Sequence, residues 1–317
     1  MHHTTSAISS SLNNLCLSTL VGTVLLTGIA CSSNKLPSAS QPLFTSSVLT
    51  PANSFTSGAE GPAVDKAGTI YAVNYHHQGT IGQIFPSGES HILVELANGS
   101  IGNGIRFNSR GEMLIADYTN HNILKVDLAT KQVTVFAHEP RMNQPNDLAI
   151  DSKDRLYASD PNWKEGSGKL WRIDTDGSTT LLADSMGTTN GIEVSPDEHI
   201  LYVNESVQRK VWVFDLSAEG KISNKRLLIE FADFGMDGMR CDREGNLYIT
   251  RHGKGTVVKV SPQGRIIQEI VLVGKNPSNI AFGGQDGHIA YITLQDQGNM
   301  EYFRVDLPGR EWQMLQK

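Results

Sequence analysis

The sequence is poor in cysteine, poor in basic charge and without an apolar run of membrane-spanning length. Three cysteines in 317 residues, at positions 16, 31 and 241, cannot build a disulfide framework. With 27 Lys and Arg against 33 Asp and Glu, the formal net charge is -6, which argues against the concentrated basic surface that nucleic acid requires. The apolar run from Leu15 to Ala30 is 16 residues long, short of the roughly 20 that a transmembrane helix needs. No stretch carries a long helical period. Cys241 stands alone on an expected core strand and reads as a small buried hydrophobe.

What the Leu15–Ala30 run does fit is the core of a signal peptide covering residues 1–30. It ends Gly28-Ile29-Ala30-Cys31, with small residues where a signal peptidase cuts; the junction also resembles a lipoprotein box, in which Cys31 becomes a lipidated N-terminus and the point of membrane attachment. Both readings place the cut before Cys31. The segment from Met1 to Asn14 has no Lys or Arg, and Gly28 stands where a lipobox normally has Leu. Export, to the periplasm and outer membrane or as a secreted protein, is the expectation, and the N-terminal mass of the protein from its host reads it out. Residues 31–42 form a Ser/Pro tether with nothing to bury.

Residues 43–317 repeat one sentence six times. A polar residue and a small or turn residue precede an apolar-x-apolar strand start, often closed by Asp. Asn103-Gly104-Ile105-Arg106-Phe107-Asn108 and Met236-Asp237-Gly238-Met239-Arg240-Cys241-Asp242 are two of the copies. The leading residues fall at 60, 103, 146, 190, 237 and 278, so the spacings are 43, 43, 44, 47 and 41. A strand-rich period near forty is that of a propeller blade. After each leading strand comes a turn and a second strand such as Ile70-Tyr71-Ala72-Val73. Five of the six second strands carry Tyr in one register, which fits an aromatic packed between neighbouring blades. Third strands such as Leu170-Trp171-Arg172-Ile173 alternate apolar and polar. The reading is an all-β, six-bladed propeller. A lone strand at Leu43 to Thr50 is expected to complete the last blade and remove an exposed edge.

In such a disc, the residues leading the first strands converge at the mouth of the central channel. They are Glu60, Asn103, Asn146, Asn190, Asp237 and Ser278, all bearing side-chain oxygen and none of them His or Cys. Two carboxylates and three amides near an axis make a hard-oxygen site suited to Ca2+ rather than zinc or copper, other divalent cations being possible. Two acids facing each other there need a cation or a proton. The ends of the second strands, including Asp160 and His252, form the wall above.

Glu60-Gly61-Pro62, Gln144-Pro145-Asn146-Asp147, Thr189-Asn190-Gly191 and Met236-Asp237-Gly238 resemble motifs of the SMP-30/gluconolactonase family, as does Asn276-Pro277-Ser278-Asn279-Ile280-Ala281-Phe282 in the last blade. The resemblance runs from about Ser54 to the C-terminus. It implies that Glu60, Asn190 and Asp237, and more loosely Asn146, hold the cation, and that Asp237 is the base or nucleophile. It implies hydrolysis of a small lactone or ester; no protein partner is expected, and the charge balance already argues against nucleic acid. Two alternatives stay open: phosphotriester hydrolysis at the same site, and a non-catalytic binding propeller whose channel ion is structural. Gln144 stands where sugar-lactone members often have Arg; an amide reads fewer hydroxyls than a guanidinium, which weighs against an aldonolactone.

Overall fold

A computed structural model describes residues 41–317. The expected signal peptide, Cys31 and all but the last two residues of the tether lie outside the described residues. Six four-stranded antiparallel sheets follow one another along the chain, at 55–95, 102–138, 148–186, 189–230, 239–271 and 277–304. They are blades 1 to 6 of a β-propeller. In the sixth sheet the outermost position is taken by the N-terminal strand Ser47–Val48, paired with Asn299–Arg304 through Ser47 opposite Tyr302 and Val48 opposite Glu301. The closing strand is therefore real but shorter than the expected Leu43 to Thr50. Around it the chain is held by other bonds: Ser46 Oγ donates to Glu301 Oε2 at 2.6 Å, and the Met300 amide donates to Thr50 Oγ1 at 2.9 Å.

Burial falls from axis to rim, and this explains the composition of each strand. Innermost strands such as Gly102–Phe107 are buried at every residue, while outer strands such as Ile266–Val271 are mostly exposed. In blades 1 and 3 the repeated Tyr and the closing Asp are partners, whereas Tyr248 of blade 5 donates to Asp306 instead. Tyr71 donates to Asp65 Oδ2 at 2.9 Å, and Tyr157 to Asp151 Oδ2 at 3.0 Å, while the other oxygen of each Asp accepts backbone N–H groups of its own turn. The rings lie between blades as expected: Tyr71 packs edge-on against Phe107 of blade 2, with centroids 5.5 Å apart, and Tyr248 against Phe282 of blade 6 at 5.1 Å. Cys241 is buried, and burial pushes its thiol well above the ordinary range.

The sequence reading missed a C-terminal helix, Arg310–Gln316. Seven residues give too few turns for a helical period to show. Glu311, Met314 and Leu315 share a small recess with Val64, Phe107 and Ile150, the last residues of three innermost strands. The helix therefore closes the end of the channel opposite the leading residues. No helix among the described residues is long and apolar enough to cross a membrane.

Candidate active site

Expected just ahead of the first strands, the six leading residues divide into two kinds. Asn146 and Asp237 do precede theirs, Leu148–Ile150 and Met239–Cys241. Glu60, Asn103, Asn190 and Ser278 lie inside longer strands, each at a break in pairing register with the second strand. Such a bulge inserts an extra residue and re-aims its side chain. Here it turns the leading side chain toward the axis before ordinary pairing resumes.

The glycine that follows most leading residues has a steric cause. Gly61 has φ +56°, and a Cβ on it would come within 1.8 Å of the Asn103 carbonyl oxygen, contributed by the next blade. At Gly238 an added Cβ would lie 2.0 Å from the Asn279 side chain. The two copies without glycine, Asp147 and Asn279, supply the side chains that fill that space. Asn279 Nδ2 donates to Glu60 Oε2 at 3.1 Å, and Asp147 turns down the channel to Arg240, 2.9 Å away.

Glu60, Asn103, Asn146, Asn190 and Asp237 line one cavity of about 630 Å³ at the mouth of the channel. Ser278 is buried beside it, bonded to the Ala59 carbonyl at 2.6 Å. Both acids are uncomfortable as anions. Burial first, and then the charge of Asp147, raise Glu60 from an ordinary 4.5 to about 7, against the bond it accepts from the Gly61 amide at 2.6 Å. Burial, and then the neighbouring Glu60, push Asp237 well above its ordinary value, with a hydrogen bond from Asn190 opposing. Two amide oxygens beside them, Asn146 Oδ1 and Asn190 Oδ1, are buried with no hydrogen-bond partner. Among the described residues no group of three or more His, Cys, Asp and Glu is placed to hold a metal, so any cation here is held by two carboxylates completed with amide oxygens. That donor set fits a hard, oxygen-seeking divalent ion such as Ca2+.

Of the second-strand ends, Asn74, Tyr118, Trp163 and His252 line the cavity and Asp160 does not. His252 sits 3.2 Å from Gln295 Oε1. Asp160 does not line it: its carboxylate accepts Trp171 Nε1 at 2.9 Å and the amides of Asn143 and Gln144 at 2.7 and 2.6 Å, which is the work of a structural residue. Gln144 lies in an adjoining recess with Tyr118 and Trp163 rather than in the main cavity. Sequence reasoning passed over Arg209 and Phe234, which line the mouth from connections between strands.

It also passed over a second charged layer beneath the ring. Three positions after the leading residue, the six copies carry Ala63, Arg106, Ala149, Glu193, Arg240 and Ala281. Arg240 Nη1 and Nη2 donate to both Asp147 oxygens at 2.9 and 3.1 Å, and Arg106 lies 3.5 Å from Asp147. From the helix, Glu311 approaches Arg106 at 2.5 Å and Arg240 at 3.7 Å, while Arg310 faces Glu193 at 3.6 Å. Burial alone would raise Asp147, but Arg240 and Arg106 outweigh it and hold the carboxyl below its usual range. Two signals could have found this layer: alternation along the strand from each leading residue, and charged residues in strands buried on both faces.

Comparison with known proteins accords with this architecture. The SMP-30/Gluconolactonase/LRE-like region matches residues 58–296. Gluconolactonase of Zymomonas mobilis is 30% identical over 219 residues, 60% of this chain and 60% of that protein. 6-Deoxy-6-sulfogluconolactonase of Pseudomonas putida is 30% identical over 169 residues, 51% of this chain and 58% of its own length. The chain thus matches about three fifths of the length of these relatives. A calcium-binding protein of known structure, regucalcin from Agrobacterium tumefaciens, shares the fold with a TM-score of 0.71 at 21% identity, over 83% of this chain and 97% of that one. With its repeats, its channel ring and residues 58–296 all accounted for in this way, the chain belongs to the SMP-30/gluconolactonase/LRE-like family.

Proposed function

We propose that the protein is a divalent-cation-dependent hydrolase of lactones or related esters, working at the floor of the channel-mouth cavity. The observation that carries this reading is the pairing there of two buried acids, both raised above their ordinary pKa, with two buried amide oxygens that lack partners. Names among the relatives, gluconolactonase and calcium-binding regucalcin, support both the reaction class and the ion. The open cavity of about 630 Å³ beside the ring favours an enzyme over a propeller whose channel ion only braces the fold.

Glu60, Asn146, Asn190 and Asp237 hold the cation, which when bound supplies Lewis-acid polarisation of the ester carbonyl. Asn103, whose buried Nδ2 has no partner, is free to donate to the substrate. Water adds to the carbonyl carbon, the ring C–O bond breaks, and a hydroxy-carboxylate leaves. Asp237 takes the proton from the attacking water and returns it to the ring oxygen as the C–O bond breaks. The test is activity of the purified protein on a panel of lactones and organophosphates, with and without chelator. Lactone turnover that a chelator removes and Ca2+ restores is expected; no turnover with Ca2+ present, or turnover indifferent to chelator, sinks the reading.

A thermodynamic consequence is independent of substrate. Without a cation, folded Glu60 keeps its proton up to about pH 7, whereas the unfolded chain releases it near 4.5. Between those values the folded state binds more protons, so stability falls as pH rises, by up to ~3 kcal/mol across the window. A bound divalent ion takes the proton's place and removes that loss, adding the usual mass-action stabilisation. Melting temperature in chelator is therefore expected to drop by several degrees between pH 5 and 8, and in excess Ca2+ to stay level or rise. Parallel curves in the two buffers rule out the site.

A further inference from the structure

The cavity mouth has two unlike sides. Among the described residues, three of the twelve large hydrophobic side chains left exposed, Trp163, Val207 and Phe234, line this one cavity. They are 42%, 61% and 48% exposed. Most of the others sit on outermost strands, as Val135, Leu181, Leu227 and Ile266 do, where the solvent face of a blade accounts for them. The three at the mouth have no such excuse. Trp163 and Val207 occupy the same connection, second strand to third, in blades 3 and 4, and Phe234 lies in the link from blade 4 to blade 5. They place an arc of three exposed apolar side chains on one half of the ring, with Ser206 and Arg209 among them.

Across from them amides predominate, with Ile101 and Tyr118 by blade 2 among them. Asn74 and Gln78 of blade 1, Asn103 of blade 2 and Gln295 of blade 6 face the arc over the acids. The charged residue on the apolar side, Arg209, is exposed; its stem can lie along that surface with its head in water. A lactone bearing hydroxyls on every carbon would have to strip water from some of them against Trp163, Val207 and Phe234, with no partner in return. A one-sided molecule avoids that cost. Gln144, in place of a guanidinium, lies in the recess beside Trp163 and adds no multi-hydroxyl reader.

Resting on the hydrolase reading above, we propose that the substrate is a lactone with an apolar alkyl or aryl substituent, rather than a polyhydroxylated sugar lactone. Its ring oxygens face the amide arc and its substituent lies along Trp163, Val207 and Phe234.

The experiment is a chain-length series of alkyl-substituted γ- and δ-lactones alongside gluconolactone, run at saturating Ca2+. kcat/KM is expected to climb about two- to fourfold per methylene as the tail covers the arc. In a Trp163→Ala/Phe234→Ala variant, the ratio of long-tailed to unsubstituted lactone is expected to fall at least about fivefold, and Trp163→Phe to restore most of it. A melting temperature still raised by Ca2+ shows that the variant is folded. A flat or falling chain-length series, or gluconolactone preferred throughout, overturns the proposal. Should no lactone be hydrolysed, the hydrolase reading fails while the arc stays testable through calorimetric binding of γ-alkyl lactams. Affinity rising with tail length upholds an apolar-ligand site there, and affinity independent of tail length overturns it.

Discussion

Asp237→Asn is expected to lower lactone kcat by at least ~100-fold at saturating Ca2+ while leaving the protein folded, the scale of losing a positioned general base. The substitution is nearly isosteric, and the asparagine side-chain oxygen can still face the cation. The backbone at this position has its own anchors, the Asp237 carbonyl accepting from Asn204 Nδ2 at 2.6 Å and its amide donating to the Thr250 carbonyl at 3.1 Å. What the amide cannot do is accept a proton from water at neutral pH. Glu60→Gln is the informative contrast. Glu60 is fixed by Gly61 and Asn279, and its part in the proposal is to hold the ion; excess Ca2+ should therefore partly restore that variant and leave Asp237→Asn slow. Near-normal turnover by Asp237→Asn removes the residue from the chemistry. Attention then passes to His252 alone, since the carboxylate of Asp160 is already committed to Trp171 and two backbone amides.

What could be read in the sequence follows from how each feature is written there. A propeller repeats its grammar, so the period, the leading polar residues and the Tyr register were visible without any structure. The converging ring followed from topology, because first strands all start on one face. The bulges did not show: a break in pairing register at Glu60 or Asn190 depends on the neighbouring strand and has no signature of its own. The charged layer was hidden for another reason. Arg106, Glu193 and Arg240 stand where a half-buried strand would point to solvent, and period-two reading assigns them there. In an innermost strand that face is the channel, and all three are fully buried. The apolar arc at the mouth comes from single residues in connections of different blades, where no periodicity exists to expose them.

That layer carries the largest stability effect expected of a single substitution in the channel. Asp147→Asn should cost about 3–5 kcal/mol, the scale of removing one partner from a buried ion pair. The channel below the ring sets Arg106, Arg240 and Arg310 against Asp147, Glu193 and Glu311. With Asn at 147, Arg240 loses the anion and at least one of its two hydrogen bonds there, retaining the Met239 carbonyl and Glu311 at 3.7 Å, and the two guanidinia that faced one anion are left to repel. A countervailing gain is smaller. Asp147 is the second cause, after burial, of the rise of Glu60 to about 7, and it also raises Asp237, so its removal eases both acids without creating a new contact. The loss therefore wins, and wins by more when a cation already neutralises the acids above. Arg240→Met alone should also be costly, because it removes both guanidinium hydrogen bonds of the buried Asp147 and leaves it only Arg106, at 3.5 Å. The pair together should cost less than the sum of the two by at least ~1 kcal/mol, since each removes the charge that the other leaves unpaired. Urea denaturation of the two single variants and the double, in Ca2+ and in chelator, measures this. An Asp147→Asn protein within ~1 kcal/mol of the parent, or strict additivity with Arg240→Met, would show that the guanidinia find water or other partners and that the layer does not hold the channel shut.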